Sequence, residues 1–339
     1  MKFKLDWFLW GMLVAVGLSW LAPEPGARGG WLHAEWLNKC GVALIFFLHG
    51  LALSFTKFKE ATLRWPIHVI AQGCTFLLFP TLGIVGLTLC GDAIHADLRT
   101  GFFFLCALPS TVSTAVAMTA AARGNVAAAV FNATLSSLLG VFLTPLWIAW
   151  WLHASGAPLH LGSVVLDLVF WLLLPFALGQ LLRPWLAERV RQRIPWINVV
   201  DKLTILLLVY TSFCDSWQQK VWSGHGFGTL IVAFLGALML FTVVFFITSF
   251  MSRAIGLPPA DRIAAIFCGS KKTLASGVPM AQLMFAGNAG LGLILLPLMI
   301  YHPMQLLICG VLAGQWARRT DAAQEPSPRD VRERTLDDE

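Results

Sequence analysis

The chain has 339 residues, 57% of them hydrophobic and 12% charged, with a formal net charge of +6. A soluble domain carries about 25% charged residues, so half that share and a mean hydropathy of +0.72 exclude an ordinary water-soluble domain and point to a polytopic helical membrane protein. The positive charge does not mark a nucleic-acid binder, because the basic residues fall in short loops between apolar runs. The seven cysteines lack zinc-type or CxxC spacing and read as small apolar free thiols.

Lys2 and Lys4 precede the first apolar run, Trp7 to Ala22, which reads as a span rather than a cleaved leader because the rest of the chain also spans the membrane. The turn Ala22-Pro-Glu-Pro-Gly leads to span two, about Trp36 to Leu53, and to the charged loop holding Lys57, Lys59, Glu60 and Arg64. Span three is about Pro66 to Leu89, with Pro80 inside it. Span four is Gly101 to Ala122, interrupted by LPSTVST, Leu108 to Thr114. The turn Arg123-Gly-Asn125 enters span five, Val126 to about Leu152.

A short loop, His153 to His160, leads to span six, about Leu161 to Leu182, and then to the most basic stretch, Arg183 to Lys202. Span seven is about Leu203 to Trp217 and span eight about Phe227 to Ile255. Span nine, about Ile263 to Phe285, carries FCGSKKTLASGVPMA, Phe267 to Ala281. A charged side chain at the centre of a spanning helix costs roughly 2.5–3.5 kcal/mol on insertion scales, so Lys271 and Lys272 must face protein or a water-filled cavity. Gly277 and Pro279 further weaken helix continuity, and broken backbone at this depth is tolerated only where it is buried or lines a cavity. Gly287-Asn288-Ala-Gly290 turns into span ten, about Leu291 to Ala313, and a polar tail from Ala317 to Glu339 reads as disordered.

Ten spans with the N-terminus inside put fifteen lysines and arginines on the cytoplasmic side and four on the other (Arg28, Lys39, Arg99 and Lys220), leaving aside Lys271, Lys272 and the last three arginines of the tail. That bias selects the ten-span count, the orientation, cytoplasmic termini and a multi-pass protein of the plasma or inner membrane. Spans four and nine also resemble each other. Cys106 and Cys268 each precede a polar break and stand 12 residues before Met118 and Met280, and each segment ends in Gly-Asn, at Asn125 and Asn288. Five spans is an odd number, so residues 1–152 and 153–316 form an inverted repeat, followed by the tail 317–339. Interrupted helices at matching positions of such a repeat mark secondary transporters, with the site near the midplane.

The candidate site residues follow from those breaks. Ser110, Thr111, Ser113 and Thr114 lie beside Pro109, and Ser270, Lys271, Lys272, Thr273 and Ser276 lie in the second break. Half-helix ends leave carbonyls and N–H groups that can hold a cation and an anion. Asn132, Thr134, Ser136 and Ser137 put polar groups in span five, where packing is a competing reading, and Thr75 stands five residues before Pro80. The lysines have three readings: an anion-binding charge, a tethered cation where a metal ion would otherwise sit, or structural partners of Asp167 or Asp215. A buried lysine that loses its proton could also carry it. His49, His68 and His302 read as packing residues.

ALPSTVSTAVAMT, RGNVAAAV, LTPL and FCGSKKTLASGVPMA together resemble the bile acid:sodium symporter family, and most closely its bacterial branch with vertebrate relatives of the solute carrier family 10 member 7 type. The resemblance covers about Asp6 to Arg319. It implies ten helices in an inverted five-helix repeat, a panel domain of spans 1, 2, 6 and 7, a core domain of the others, and broken spans four and nine crossing in the core. It further implies sodium held by spans three, four, five and nine, with Thr75, Thr114, Thr134 and Ser136 or Ser137 as the matching positions. The chain departs from the family pattern in one place: Phe267 falls at the acidic position of span nine, Lys271-Lys272 at the amide pair, and Ala115 at the span-four Asn. Those changes speak against at least one sodium position.

The expected function is therefore secondary transport of an organic anionic solute across the bilayer by alternating access. No cofactor is expected apart from the sodium that the resemblance implies, and no nucleic acid. Sodium-independent or proton-coupled transport, and a regulatory membrane protein without transport, are the alternatives. An intramembrane enzyme is disfavoured because GxSxG, HExxH and an intramembrane aspartate pair are all missing.

Overall fold

The computed structural model describes residues 7–52, 65–154, 166–192, 194–221 and 226–324, and every element among them is helical. The loop of Lys57 to Arg64, the loop after His153, the start of span six and the tail beyond Gln324 lie outside the described residues. In chain order the helices are α1 (Trp7–Leu21), α2 (Ala34–Ala52), α3 (Trp65–Cys90), α4 (Ala96–Ala107), α5 (Ser113–Ala121) and α6 (Val126–Ala154). They continue with α7 (Leu174–Gln192), α8 (Ile194–Gln218), α9 (Phe227–Ala254), α10 (Pro259–Gly269), α11 (Leu274–Met284) and α12 (Leu291–Gln324). Six helical stretches among the described residues are long and apolar enough to cross a bilayer: Trp65–Cys90, Val126–Ala154, Leu166–Leu186, Trp196–Gln218, Phe227–Ala254 and Leu291–Arg318.

Helix ends differ from the apolar boundaries in an instructive way. α7 runs to Gln192 and α8 starts at Ile194, so the basic stretch is helical where the sequence suggested a connection. The segment LRPWLAERVRQ is rich in strong helix formers, and Pro195 sits in the first turn of α8, where it costs no hydrogen bond. α12 likewise continues through Arg-Thr-Asp-Ala-Ala-Gln, past Ala317, to Gln324. Hydropathy limits what can sit in lipid; it does not end a helix.

α2 packs along α7 and α8, and α1 along α8; α4, α9 and α11 pack on α12, while α10 packs on α3, α6 and α9. α2 and α7 approach most closely where two glycines meet. A Cβ on Gly50 would stand 2.3 Å from the Phe176 carbonyl oxygen, and one on Gly179 2.3 Å from that of Phe47, the small-residue contact that membrane helices use. α9 turns Phe234, Met239, Phe246 and Phe250 outward, as a lipid-facing helix must. The polar sequence GSKKT is, by contrast, fully enclosed: Ser270, Lys271 and Lys272 each have 0% exposure. The chain hides its charge and exposes its hydrocarbon, the arrangement that a bilayer dictates.

Candidate solute and ion site

Both polar segments are interrupted helices, and Pro109 explains the first. α4 stops at Ala107, Leu108 is extended, and α5 begins at Ser113. Proline disfavours helical backbone at the preceding residue and cannot donate to Leu105. The carbonyls at the end of α4 therefore need partners from elsewhere. Thr144 Oγ1 donates to Ala107 O at 2.8 Å. Lys272 Nζ donates to Cys106 O at 2.8 Å and to Leu108 O at 2.6 Å. Ser136 Oγ accepts from Ser110 N at 2.9 Å.

The second interruption separates α10, ending at Gly269, from α11, starting at Leu274. Thr273 N donates to Pro109 O at 3.0 Å, so the two breaks touch backbone to backbone. Gln305 of α12 straddles Lys272 as a neighbouring strand would: its Oε1 accepts from Lys272 N at 2.9 Å and its Nε2 donates to Lys272 O at 2.7 Å. Tyr301 Oη donates to Ser270 O at 2.7 Å.

A third carbonyl reaches Lys272 from α3, and Pro80 produces it. Residues Cys74–Leu78 form a π turn in which Phe79 N bonds Cys74 O. Phe79 N is thus diverted from Thr75 O, and Pro80 has no N–H to offer Phe76 O. Phe76 O accepts instead from Trp147 Nε1 at 3.1 Å. Thr75 O accepts from Lys272 Nζ at 3.0 Å. Lys272 therefore spends its three N–H donors on three carbonyls drawn from α3 and the end of α4, and it lies 4.0 Å from the centre of the Phe79 ring.

Lys271 is equally buried but differently held. Its Nζ donates to Thr114 O at 3.0 Å and stands 5.1 Å from the Phe267 ring. Among the described residues neither lysine pairs with an aspartate. Asp167 lies 3.4 Å from Lys39, and Asp215 3.4 Å from Arg28, which removes the reading of these aspartates as lysine partners. Among the described residues no group of His, Cys, Asp and Glu could hold a metal ion.

The other expected site residues separate into three sets. Thr111 and Thr114 join hydroxyls at 2.5 Å, and Ser276 Oγ donates to Thr273 Oγ1 at 3.3 Å, close to the contact of the two breaks. Thr75 Oγ1, Ser270 Oγ and Asn132 Nδ2 bond carbonyls four residues back on their own helices, while Gln72 Nε2 adds a bond to Asn132 Oδ1 at 3.2 Å. Ser110 Oγ is buried without a hydrogen-bond partner among the described residues. Ser113 is exposed, Thr114 and Ser137 are half-buried, and Thr134 is buried. The sequence reading missed Gln305, Tyr301 and Thr144; Gln305, a lone amide in an apolar span, was the available signal.

At their far ends the two broken segments hold each other reciprocally. Asn125, after α5, donates from Nδ2 to Asp261 Oδ1 at 2.7 Å in the first turn of α10. Asn288, after α11, donates from Nδ2 to Asp97 Oδ1 at 3.2 Å in the first turn of α4. A glycine makes room in each case: a Cβ on Gly124 would stand 2.5 Å from Ile263 Cγ2, and one on Gly290 2.1 Å from Asp97 Oδ2.

Comparison with known proteins decides the family. A model of the SBF-like CPA transporter family matches residues 6–318. The chain belongs to this family. It is 39% identical over 321 residues to the "Putative symporter YfeH" of Escherichia coli, covering 94% of this chain and 95% of that protein. It is 38% identical over 322 residues to an uncharacterized protein of Pseudomonas aeruginosa, covering 95% and 96%. It is 33% identical over 315 residues to "Sodium/bile acid cotransporter 7" of Rattus norvegicus, covering 92% of each. This member of the SBF-like family is thus a multi-pass membrane transporter similar to the bile acid:sodium symporters.

The transporter contains a cavity of about 290 Å³ between the α1–α2 connection, α2, α8 and the end of α11. A network of hydrogen bonds, in which Gln282 Nε2 also donates to Leu208 O at 2.9 Å, forms part of its lining. Asn38 Nδ2 donates to Gln282 Oε1 at 3.1 Å, Gln282 Nε2 to Thr211 Oγ1 at 3.4 Å, and Thr211 Oγ1 to Asn38 Oδ1 at 3.0 Å. Gln282 Nε2 also reaches Ser212 Oγ at 2.6 Å.

Proposed function

We propose that the protein moves an organic anion across the cell membrane by alternating access without sodium at the crossing of its broken helices, because the Lys272 ammonium takes the cation's place. The observation that carries this reading is the tripod of carbonyls on Lys272 Nζ, at 2.6, 2.8 and 3.0 Å. Backbone carbonyls from broken and distorted helices are the ligands that secondary transporters offer a coupling cation. A sodium ion about 4 Å from the ammonium would meet roughly 4 kcal/mol of repulsion even at an effective dielectric of 20, near a thousandfold in affinity.

The surrounding architecture in this reading is ten helices in two inverted five-helix units, residues 1–152 and 153–316, with panel and core parts, a tail at 317–339 and both termini cytoplasmic. The reciprocal Asn–Asp clasps support the inversion, since each turn after a break holds the first turn of the other broken segment. The charge bias of the loops supports the orientation. Uptake of a labelled metabolite pool into proteoliposomes, with sodium and proton gradients imposed separately, tests the proposal. The expected outcome is uptake that a sodium gradient leaves unchanged. Uptake that strictly requires the sodium gradient contradicts it.

A further inference from the structure

We propose that the cavity beside α11 selects a small hydrophilic carboxylate, a short hydroxy or amino acid rather than a steroid, and grips its carboxylate with the outer nitrogens of Arg28. The inference rests on the transport reading above and adds the solute class. Three observations carry it.

The first is size. About 290 Å³ lies at the small end of ligand sites, about 300–1,000 Å³. A bile acid, four fused rings with a side chain and its headgroup, needs more. The second is lining. Arg28, Glu35, Lys39 and Asp215 bring charge, Asn38 and Gln282 bring amides, and Thr211 and Ser212 bring hydroxyls. Ala34, Leu283, Ala286 and Leu291 complete the wall, and the Asn38, Gln282 and Thr211 side chains offer a polar solute hydrogen-bond partners.

The third is the setting of Arg28. Asp215 holds it from one side, accepting from Arg28 N at 2.8 Å and lying 3.4 Å from Nε. Nη1 and Nη2 point past this pair toward Gly287, where a Cβ would stand 3.9 and 3.8 Å away, and they bond nothing among the described residues. An oriented guanidinium with its terminal nitrogens unspent is the fork that receives a carboxylate bidentately. The Glu35 carboxylate, which makes no bond among the described residues, suits a hydroxyl or ammonium on the same solute.

The test uses the full-length protein in lipid nanodiscs carrying Ala286→Cys, a cavity-lining position. The rate of maleimide labelling at that cysteine and the thermal midpoint are read with malate, glycerate, glutamate or taurocholate present. At least one of the small carboxylates should raise the midpoint and slow labelling about tenfold, while taurocholate does neither. Arg28→Gln should abolish the protection, and Arg28→Lys, which keeps the charge but loses the fork, should weaken it. Protection by taurocholate, protection by a carboxylate that survives Arg28→Gln, or no protection by any of the three carboxylates overturns the proposal. Uptake of taurocholate into proteoliposomes would end this inference and leave the transport reading standing; a carboxylate that protects yet is never taken up would do the reverse.

Discussion

The two interrupted helices share a sequence pattern but have opposite chemistry. The break between α4 and α5 presents acceptors, the carbonyls of Cys106, Leu108 and Pro109, with that of Thr114 just beyond. The break between α10 and α11 presents donors, Lys271 Nζ, Lys272 Nζ and Thr273 N. Pro109 makes the first break poor in donors, and two adjacent lysines make the second rich in them. Two breaks of the same kind would face each other with unpaired carbonyls and need a free cation between them. This pair is complementary and closes on itself. The two breaks are alike in backbone and unlike in charge.

The largest expected effect comes from removing the donor side. Lys272→Met leaves the carbonyls of Thr75, Cys106 and Leu108 buried without partners, at about 1–3 kcal/mol each. Thermal unfolding should show a loss of about 3 kcal/mol or more, or no folded protein. Lys271→Met orphans at most the Thr114 carbonyl and should cost about 1 kcal/mol; equal losses from the two lysines would break the contrast. Gln305→Leu removes the two bonds that fix the Lys272 backbone and should fall between them, at about 2 kcal/mol. The clasps come last. Asn125 holds a buried Asp261 and also accepts from Ala128 N at 3.0 Å at the start of α6. Asn125→Ala should therefore cost about 1–2 kcal/mol. Asn288→Ala removes an exposed, longer bond to Asp97 and the bond its Oδ1 accepts from Gly290 N at 2.7 Å, and should cost about 1 kcal/mol or less because the Asp97 it releases stays in reach of water. A larger loss at Asn288 would reverse the assignment of which clasp is tight.

Much of this fold was legible because the bilayer makes strict demands. Apolar runs located the six stretches long and apolar enough to span, and Pro109 with LPSTVST and GSKKT located the breaks, since charge and broken backbone have few tolerated places in a membrane. Periodicity could not tell which atoms of a residue would matter. Thr75 entered the reading through its hydroxyl, yet its carbonyl meets Lys272 because the π turn frees it. Ser113 sits among plausible ligands in sequence but turns outward at the first residue of α5. Gln305, a single amide in an apolar run, signals a buried polar partner without naming it; only the fold shows that the partner is the Lys272 backbone. The aspartates were the opposite case: Asp167 and Asp215 were nominated for the lysines by default, and Lys39 and Arg28 hold them.

The most direct test of the central claim compares sodium dependence before and after the tethered cation is removed. The thermal midpoint of the purified protein is measured in sodium chloride and in choline chloride at equal ionic strength, for the wild type and for Lys272→Gln. With Lys272 on the three carbonyls, the wild type should give the same midpoint in both salts. Lys272→Gln removes the charge and leaves the carbonyls able to take an ion, so sodium should raise the midpoint of the variant alone. A saturable rise with sodium in the wild type, lost in the variant, would contradict the account.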